Sequence, residues 1–398
     1  METRPFNSTE RRLIAGISLV MGIRMLGISM IIPVFSIFAT ELPGSTGALA
    51  GLAVGIFGII QILLQVPIGK LSDRWGRKQV TLAGLVIYFV GSVLSGLAQN
   101  VHHLIAARLL SGAGAIQGVT MAWLTDGISI HRRNTALSYV GISMGLAVIF
   151  GFTLSPIIAA KLNIPVLFFI CAGLIMVTIL YTVFFMDNHT IIDEELPVIR
   201  TERLFEVMKN PALNRLNIVG FVGNLNINPV FFVMPLLFKR ELGMEAMWKI
   251  FIPVSLLGTA LMFVFARAAD RRGSAAITTV GLGFEFGGIL IAIFAGGLTA
   301  YILSFFLFYA GHCILSPVLP AAASRYPNPQ LKGTVLSIFN SSQFLGSGIG
   351  GLLSGLILEL DYRHVFIATA VFTIAAFIAI AGYRDFGRDG RAKRAQRR

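Results

Sequence analysis

Charge is what this 398-residue chain has least of: Asp, Glu, Lys and Arg make up 13% of it, against 55% apolar side chains. With a mean hydropathy of +0.79, that scarcity excludes an ordinary soluble domain and implies an integral membrane protein. Cysteine is nearly absent too. The two present, Cys171 and Cys313, each lie inside an apolar run, so neither a disulfide framework nor a cysteine metal site is expected. Also missing are a phosphate-cradling P-loop, any metal-ligand spacing and the Asp-rich pair of lipid-phosphate enzymes. These absences exclude an ATP-driven pump and leave no catalytic residues, metal or cofactor to expect.

What is there is apolar sequence in long runs. A helix crossing the hydrocarbon core needs roughly 20 apolar residues. Twelve such runs occur, at about 12–39, 48–70, 79–98, 103–125, 135–160, 164–186, 212–238, 247–266, 275–295, 298–320, 333–358 and 363–383. The expected fold class is therefore all-α integral membrane, with twelve transmembrane helices. Cytoplasmic loops retain Lys and Arg. With an even number of spans, 25 of the 32 basic residues fall on the side of both termini, 5 on the other, and Arg24 and Arg108 inside spans. Both termini are expected in the cytoplasm. The net charge of +13 is thus a topology signal, which needs no nucleic acid, and the basic end suits anionic lipid headgroups.

The longest polar stretch, "DNHTIIDEELPVIRTERLFEVMKNPALNR", falls after six spans. It divides the chain into a first six-helix bundle (1–186), a cytoplasmic central loop (187–211), a second bundle (212–383) and a basic tail (384–398). The halves repeat one another. "DRWGRKQVTLAGL" from Asp73 recurs as "DRRGSAAITTVGL" from Asp270, "TALS" from Thr135 recurs as "TVLS" from Thr334, and Gly151 corresponds to Gly350. A duplicated six-helix unit is a common transporter plan, with the site between the halves near mid-membrane.

"GKLSDRWGRKQV" (69–80) resembles the signature loop between helices two and three of the major facilitator superfamily, and the twelve spans agree with it. "RMLGISMIIPV" in helix one, "RLLSGAGAIQG" in helix four and "KGTVLSIFNSSQFLGSGIGGLLSG" in helix eleven are similar to the drug:proton antiporter branch of YajR-like kind. The resemblance implies two pseudo-symmetric bundles and a cytoplasmic gate. In that gate Asp73 meets the start of helix eleven near Gly333, while Arg77 or Arg74 pairs with Asp126 at the end of helix four. Gly69 is expected to let backbones approach and Gly76 to permit a tight turn, with Asp270, Arg271 and Gly273 repeating the pattern. The sequence departs from the branch at Ser155-Pro156, where a Gly-Pro pair is usual, and at Ser316, where an acid is usual.

Charge within a span marks a candidate functional site. Arg24 and Arg108 fall at nearly the same depth, and no acid of the first six spans shares it; they are left to backbone carbonyls, polar groups such as Gln117, water, an acid of the second half or a bound anion. Glu285 is the acid at mid-depth in the second half. A carboxyl group in an apolar surround can hold a proton at neutral pH, so Glu285 is a candidate proton carrier or else a structural partner of helix ten or twelve. His312 is a second candidate, since imidazole exchanges its proton near neutrality. Gln61, Gln65, Asn224, Asn226, Asn228, Asn340 and Gln343 complete the polar list, either for substrate or for interhelical hydrogen bonds.

The resulting expectation is a monomeric secondary transporter in a prokaryotic cytoplasmic membrane, working by alternating access. It takes a small-molecule substrate, uses the proton gradient as its energy source and exports small amphipathic compounds. The alternatives are transport of an anionic metabolite on Arg24 and Arg108, or a non-transporting sensor on the same fold.

Overall fold

A computed structural model of the chain describes residues 6–114, 116–128, 132–186, 207–327, 331–358 and 361–383. Most of the central loop and the basic tail lie outside the described residues. Twelve helices long and apolar enough to cross a membrane are present: Ser8–Glu41, Gly47–Trp75, Arg77–Gly96, Val101–Asp126, Thr135–Leu162, Ile164–Phe185, Pro211–Leu242, Met244–Ala269, Ser274–Phe294, Leu298–Ser324, Thr334–Leu358 and Tyr362–Ala381. They are called spans one to twelve. Helix is dictated by the solvent, because an apolar medium offers no partner to an open N–H or C=O.

Their ends carry local signals. Asn7 and Glu10 close a capping box on span one, and Asn100, Asn163, Asn210 and Asp361 cap others through their side chains. Span four is one apolar span, as expected, in which described helix stops at Ala113 and resumes at Gln117, with residue 115 outside the described residues. The cause is local. Glycine lowers helix propensity in "GAGAIQG", and a Cβ at Gly114 would stand 2.6 Å from the Gly84 carbonyl oxygen of span three.

The chain divides into two compact units, Met1–Ser45 with Ile56–Pro197, and Thr46–Gly55 with Val198–Arg398. The first turns of span two thus pack within the second unit, where Gly51 faces the backbone of Gly355, and Gly55 that of Gly348.

In the first unit, spans one and five are tied by Ser143, whose hydroxyl donates to the Ser18 carbonyl at 2.7 Å, and by Ser29, which donates to that of Ala147 at 3.2 Å. Ile17, Met21, Trp123 and Val140 form one buried cluster there, and Val20, Tyr88, Ile116 and Ile175 another. In the second unit, Leu216, Val219, Leu315 and Phe339 are buried together, with an edge-packed aromatic group of Phe231, Phe238, Phe251 and Phe305.

The repeat read in the sequence is one of backbone geometry. Gly76 has φ 95° and ψ 146°, Gly273 φ 98° and ψ 153°, a region open only to glycine. Gly151 presses on Ser29 and Met30 of span one, and Gly350 on Leu225 of span seven. Gly84 meets Gly114 as Gly281 meets Gly311, and Gly91 meets the Ser111 nitrogen as Gly288 meets that of Phe308. All four of these partners stand 197 positions apart (281 − 84, 311 − 114, 288 − 91, 308 − 111).

Candidate functional site

The charged loop is mostly helix. Span two runs to Trp75, so Lys70, Asp73 and Arg74 lie on its last turns, Gly76 breaks it, and span three begins at Arg77. Arg77 is the hub. Its Nη1 lies 2.6 Å from Asp73 Oδ1 and donates to Ser72 Oγ at 2.5 Å, while its Nε donates to Asp126 Oδ2 at 2.9 Å. One planar guanidinium therefore joins the ends of spans two, three and four, using the fork geometry a Lys lacks. Arg74 is exposed and takes no part in these contacts. Gly69 has no described atom within 4 Å of where a Cβ would stand, so the close backbone approach expected of it does not occur among the described residues.

In the repeat, Arg271 and Arg272 are exposed in the last turn before Gly273. The side chain of Asp270 and the surroundings of Gly333 lie outside the described residues.

Two further ties were missed by sequence reasoning. Lys78 Nζ donates to the carbonyls of Val183 at 3.0 Å and Met186 at 2.6 Å, satisfying the open end of span six. Arg132 Nη1 reaches Glu10 Oε2 at 3.0 Å, joining the starts of spans one and five. The capping-box spacing from Asn7 to Glu10 marks a helix start and carries no signal of this second role.

The intramembrane cations do come together, on aromatic rings. Arg24, 3% exposed, lies with its guanidinium carbon 5.9 Å from the Tyr88 ring. That of Arg108 stands 4.5 Å from the Phe57 ring and 5.0 Å from Phe35. The Phe57 and Tyr88 rings are themselves 6.4 Å apart. Ring faces attract cations most strongly away from water, so these two walls explain how the charges are held. Nε and Nη2 of Arg24 and Nε of Arg108 have no hydrogen-bond partner among the described residues. Gln117 is half-buried, and no described bond links it to either cation.

Glu285 and His312, separate candidates in the sequence, face each other. His312 Nδ1 lies 3.5 Å from Glu285 Oε1, with the carboxyl fully buried and the imidazole 18% exposed. No hydrogen bond to either carboxyl oxygen occurs among the described residues.

The amides are of two kinds. Asn226 Nδ2 donates to Thr373 Oγ1 of span twelve at 2.9 Å, and Asn228 Nδ2 to the carbonyl and hydroxyl of Ser347 in span eleven at 2.5 and 2.8 Å. Asn224 bonds the Gly220 carbonyl of its own helix at 3.1 Å. By contrast Gln61 is buried, and its Oε1 and that of Gln65 have no hydrogen-bond partner among the described residues, while Asn340 and Gln343 are half-buried on span eleven.

A groove of about 800 Å³ lies in the first unit, between spans one and five. Its walls include Ile14, Leu19, Ile142, Leu146 and Phe150, with Arg11 and Tyr139 among the few polar groups. The buried hydroxyl of Ser18, also in its lining, has no partner for its oxygen as an acceptor or donor among the described residues. None of the sequence-predicted site residues lines it. No group of three or more His, Cys, Asp or Glu placed to hold a metal occurs among the described residues.

The family model described as Major Facilitator Superfamily matches residues 17–351 and 260–397. The chain belongs to the major facilitator superfamily. Among curated members of this superfamily, the inner membrane transport protein YajR of Escherichia coli (strain K12) is 30% identical over 384 residues, covering 94% of this chain and 83% of that one. Multidrug resistance protein 2 of Bacillus subtilis (strain 168) is 24% identical over 388 residues, with 90% of each chain covered. Among solved structures, a bacterial homologue of the human lysosomal transporter Spinster, inward-facing and occupied, superposes with a TM-score of 0.77 at 13% identity, covering 94% of this chain and 97% of that one. This superfamily member is a multi-pass membrane transporter, for which the superfamily requires no cofactor.

Proposed function

We propose that this transporter works by alternating access and exports small amphipathic compounds, drugs among them, driven by the proton gradient. It acts as a monomer in a prokaryotic inner membrane, with both termini in the cytoplasm. The observation that carries the substrate class is the groove between spans one and five. Its volume of about 800 Å³, apolar walls and sparse polar groups, Arg11 and the Ser18 hydroxyl, suit a compound with one greasy body and one polar end. The names of two relatives, an inner membrane transport protein and a multidrug resistance protein, point the same way. Asp73, Arg77 and Asp126 serve as the cytoplasmic lock, strong enough to bias two conformations and weak enough to open, since single contacts of this kind contribute a few kcal/mol.

A second reading, carriage of an organic anion, is favoured by one observation: Arg24 keeps two buried nitrogens without partners and meets no carboxylate among the described residues.

Purified protein in liposomes with an imposed pH gradient, read by a lumenal pH dye, separates the readings. Proton movement triggered by cationic or neutral amphipathic drugs is the expected result. Flux of organic anions with silence toward the others establishes the second reading. Binding of either class without flux overturns both and leaves a sensor.

A further inference from the structure

The contact of spans nine and ten copies that of spans three and four, with one change of chemistry. In each unit two glycine contacts bring the backbones together, Gly84 to Gly114 and Gly91 to Ser111 in the first, Gly281 to Gly311 and Gly288 to Phe308 in the second. The residue enclosed between the glycines of the odd-numbered span is Tyr88 in the first unit and Glu285 in the second, again 197 positions apart (285 − 88). Tyr88 turns its ring to the permanent cation Arg24. Glu285 faces His312, a side chain whose charge is exchangeable.

We infer that Glu285 and His312 form one proton-binding site, a carboxyl and an imidazole that share a single proton, with His312 as its way in and out. The inference deepens the proton-driven reading above and rests on it for its role in transport.

Geometry carries the argument. Glu285 lies midway along Ser274–Phe294, and its carboxyl is fully buried. Backbone surrounds its stem: a Cβ on Gly311 would stand 2.6 Å from the Glu285 nitrogen and 2.8 Å from its Cγ. The only charged or chargeable partner the carboxyl meets among the described residues is His312, which alone of the two has an exposed edge.

Other titratable groups on the packed spans stand elsewhere. Tyr309 and Cys313, on span ten itself, press on Gly258 of span eight. Arg267, Arg271 and Arg272 of span eight, and Arg363 and His364 of span twelve, are exposed near helix ends. Lys239, Arg240 and Glu241 of span seven lie in its last turn, and Arg215 in its second.

With one proton the pair is either carboxylic acid with neutral imidazole or carboxylate with imidazolium; both have zero or paired charge, which a buried site tolerates. Losing that proton leaves a lone buried carboxylate, which demands that water or a cation enter. Loading and release are thus tied to exposure of the His312 edge. One N–H or O–H bond forms on loading and the same bond breaks on release, so a single proton is carried per cycle.

Two measurements test this in the full-length protein, with Glu285→Gln and His312→Gln, each checked for folding by thermal unfolding in detergent. The first is infrared difference spectroscopy across a pH titration of purified protein, without substrate or gradient. A titrating carboxylic-acid C=O band is expected in wild type, absent in Glu285→Gln and moved to a different midpoint in His312→Gln. A wild-type spectrum unaltered by Glu285→Gln overturns the proton site whatever the substrate.

The second is transport in liposomes. Both variants should lose at least tenfold of the uptake driven by a pH gradient. Gradient-driven uptake equal to wild type in both overturns the inference while leaving proton-driven transport standing. Wild-type uptake that ignores the gradient overturns the proton-driven reading instead, and the infrared result then decides the site alone.

Discussion

Arg77 shows what a single residue does in the charged loop. Its guanidinium meets Asp73, Ser72 and Asp126, and Asp126 is only 22% exposed against 60% for Asp73. A hydrogen bond to a charged group contributes about 1.5–3 kcal/mol, and the more exposed carboxylate contributes the smaller part because water screens it. Arg77→Ala is therefore expected to destabilise the protein by about 2 kcal/mol and to stop transport, whereas Arg74→Ala, which touches none of these groups, should stay within about 0.5 kcal/mol. Thermal unfolding in detergent compares them. Equal shifts in the two variants would reduce the loop to a diffuse topology charge. The sequence offered both arginines as partners of Asp126; only the helix phase separates them, because Gly76 ends one helix and Arg77 starts the next. The same limit applied to Glu285 and His312, each legible alone as a polar group among apolar neighbours. Their meeting depends on two spans packing at one register, which no single span records.

Helix by helix, hydropathy was enough to place all twelve spans, since each must supply its own run of apolar side chains. The break in span four was illegible to that signal, because hydropathy registers neither the low helix propensity of the glycines in "GAGAIQG" nor the contact of Gly114 with Gly84. Glycine was the ambiguous letter throughout. It marks close contact at Gly350, where the Leu225 backbone leaves no room for a Cβ, and open space at Gly141 and Gly145, where no described atom comes within 4 Å. Alanine at Gly350 should force spans seven and eleven apart and cost about 1–3 kcal/mol by overpacking. At Gly141 it should be neutral or stabilise by up to about 1 kcal/mol, through the better helix propensity of alanine. Unfolding temperatures of the two variants provide the check, and equal destabilisation by both would mean that the contact at Gly350 is not what holds that helix pair.

At the scale of the molecule, the distribution of charge is the signal for orientation. Twenty-five of the 32 basic residues share one side if the spans alternate, and five take the other; from retention of cations in cytoplasmic loops, both termini and the Arg77 loop are expected in the cytoplasm. The near-absence of cysteine makes this orientation easy to read. Cys171 and Cys313 are both buried, so wild-type protein should give almost no reaction with a membrane-impermeant maleimide, and a single added thiol reports its own side. Arg74 and Lys161 are exposed positions at the C-terminal ends of spans two and five, which alternation of the spans puts on opposite sides. In intact cells Lys161→Cys should be labelled and Arg74→Cys protected, and in inside-out vesicles the pattern should reverse. Labelling of Arg74→Cys in intact cells would invert the orientation, and with it the assignment of the Asp73–Arg77–Asp126 lock to the cytoplasmic face. Labelling of both from one side would break the alternation of spans three to five, which rests on each of them crossing the membrane once.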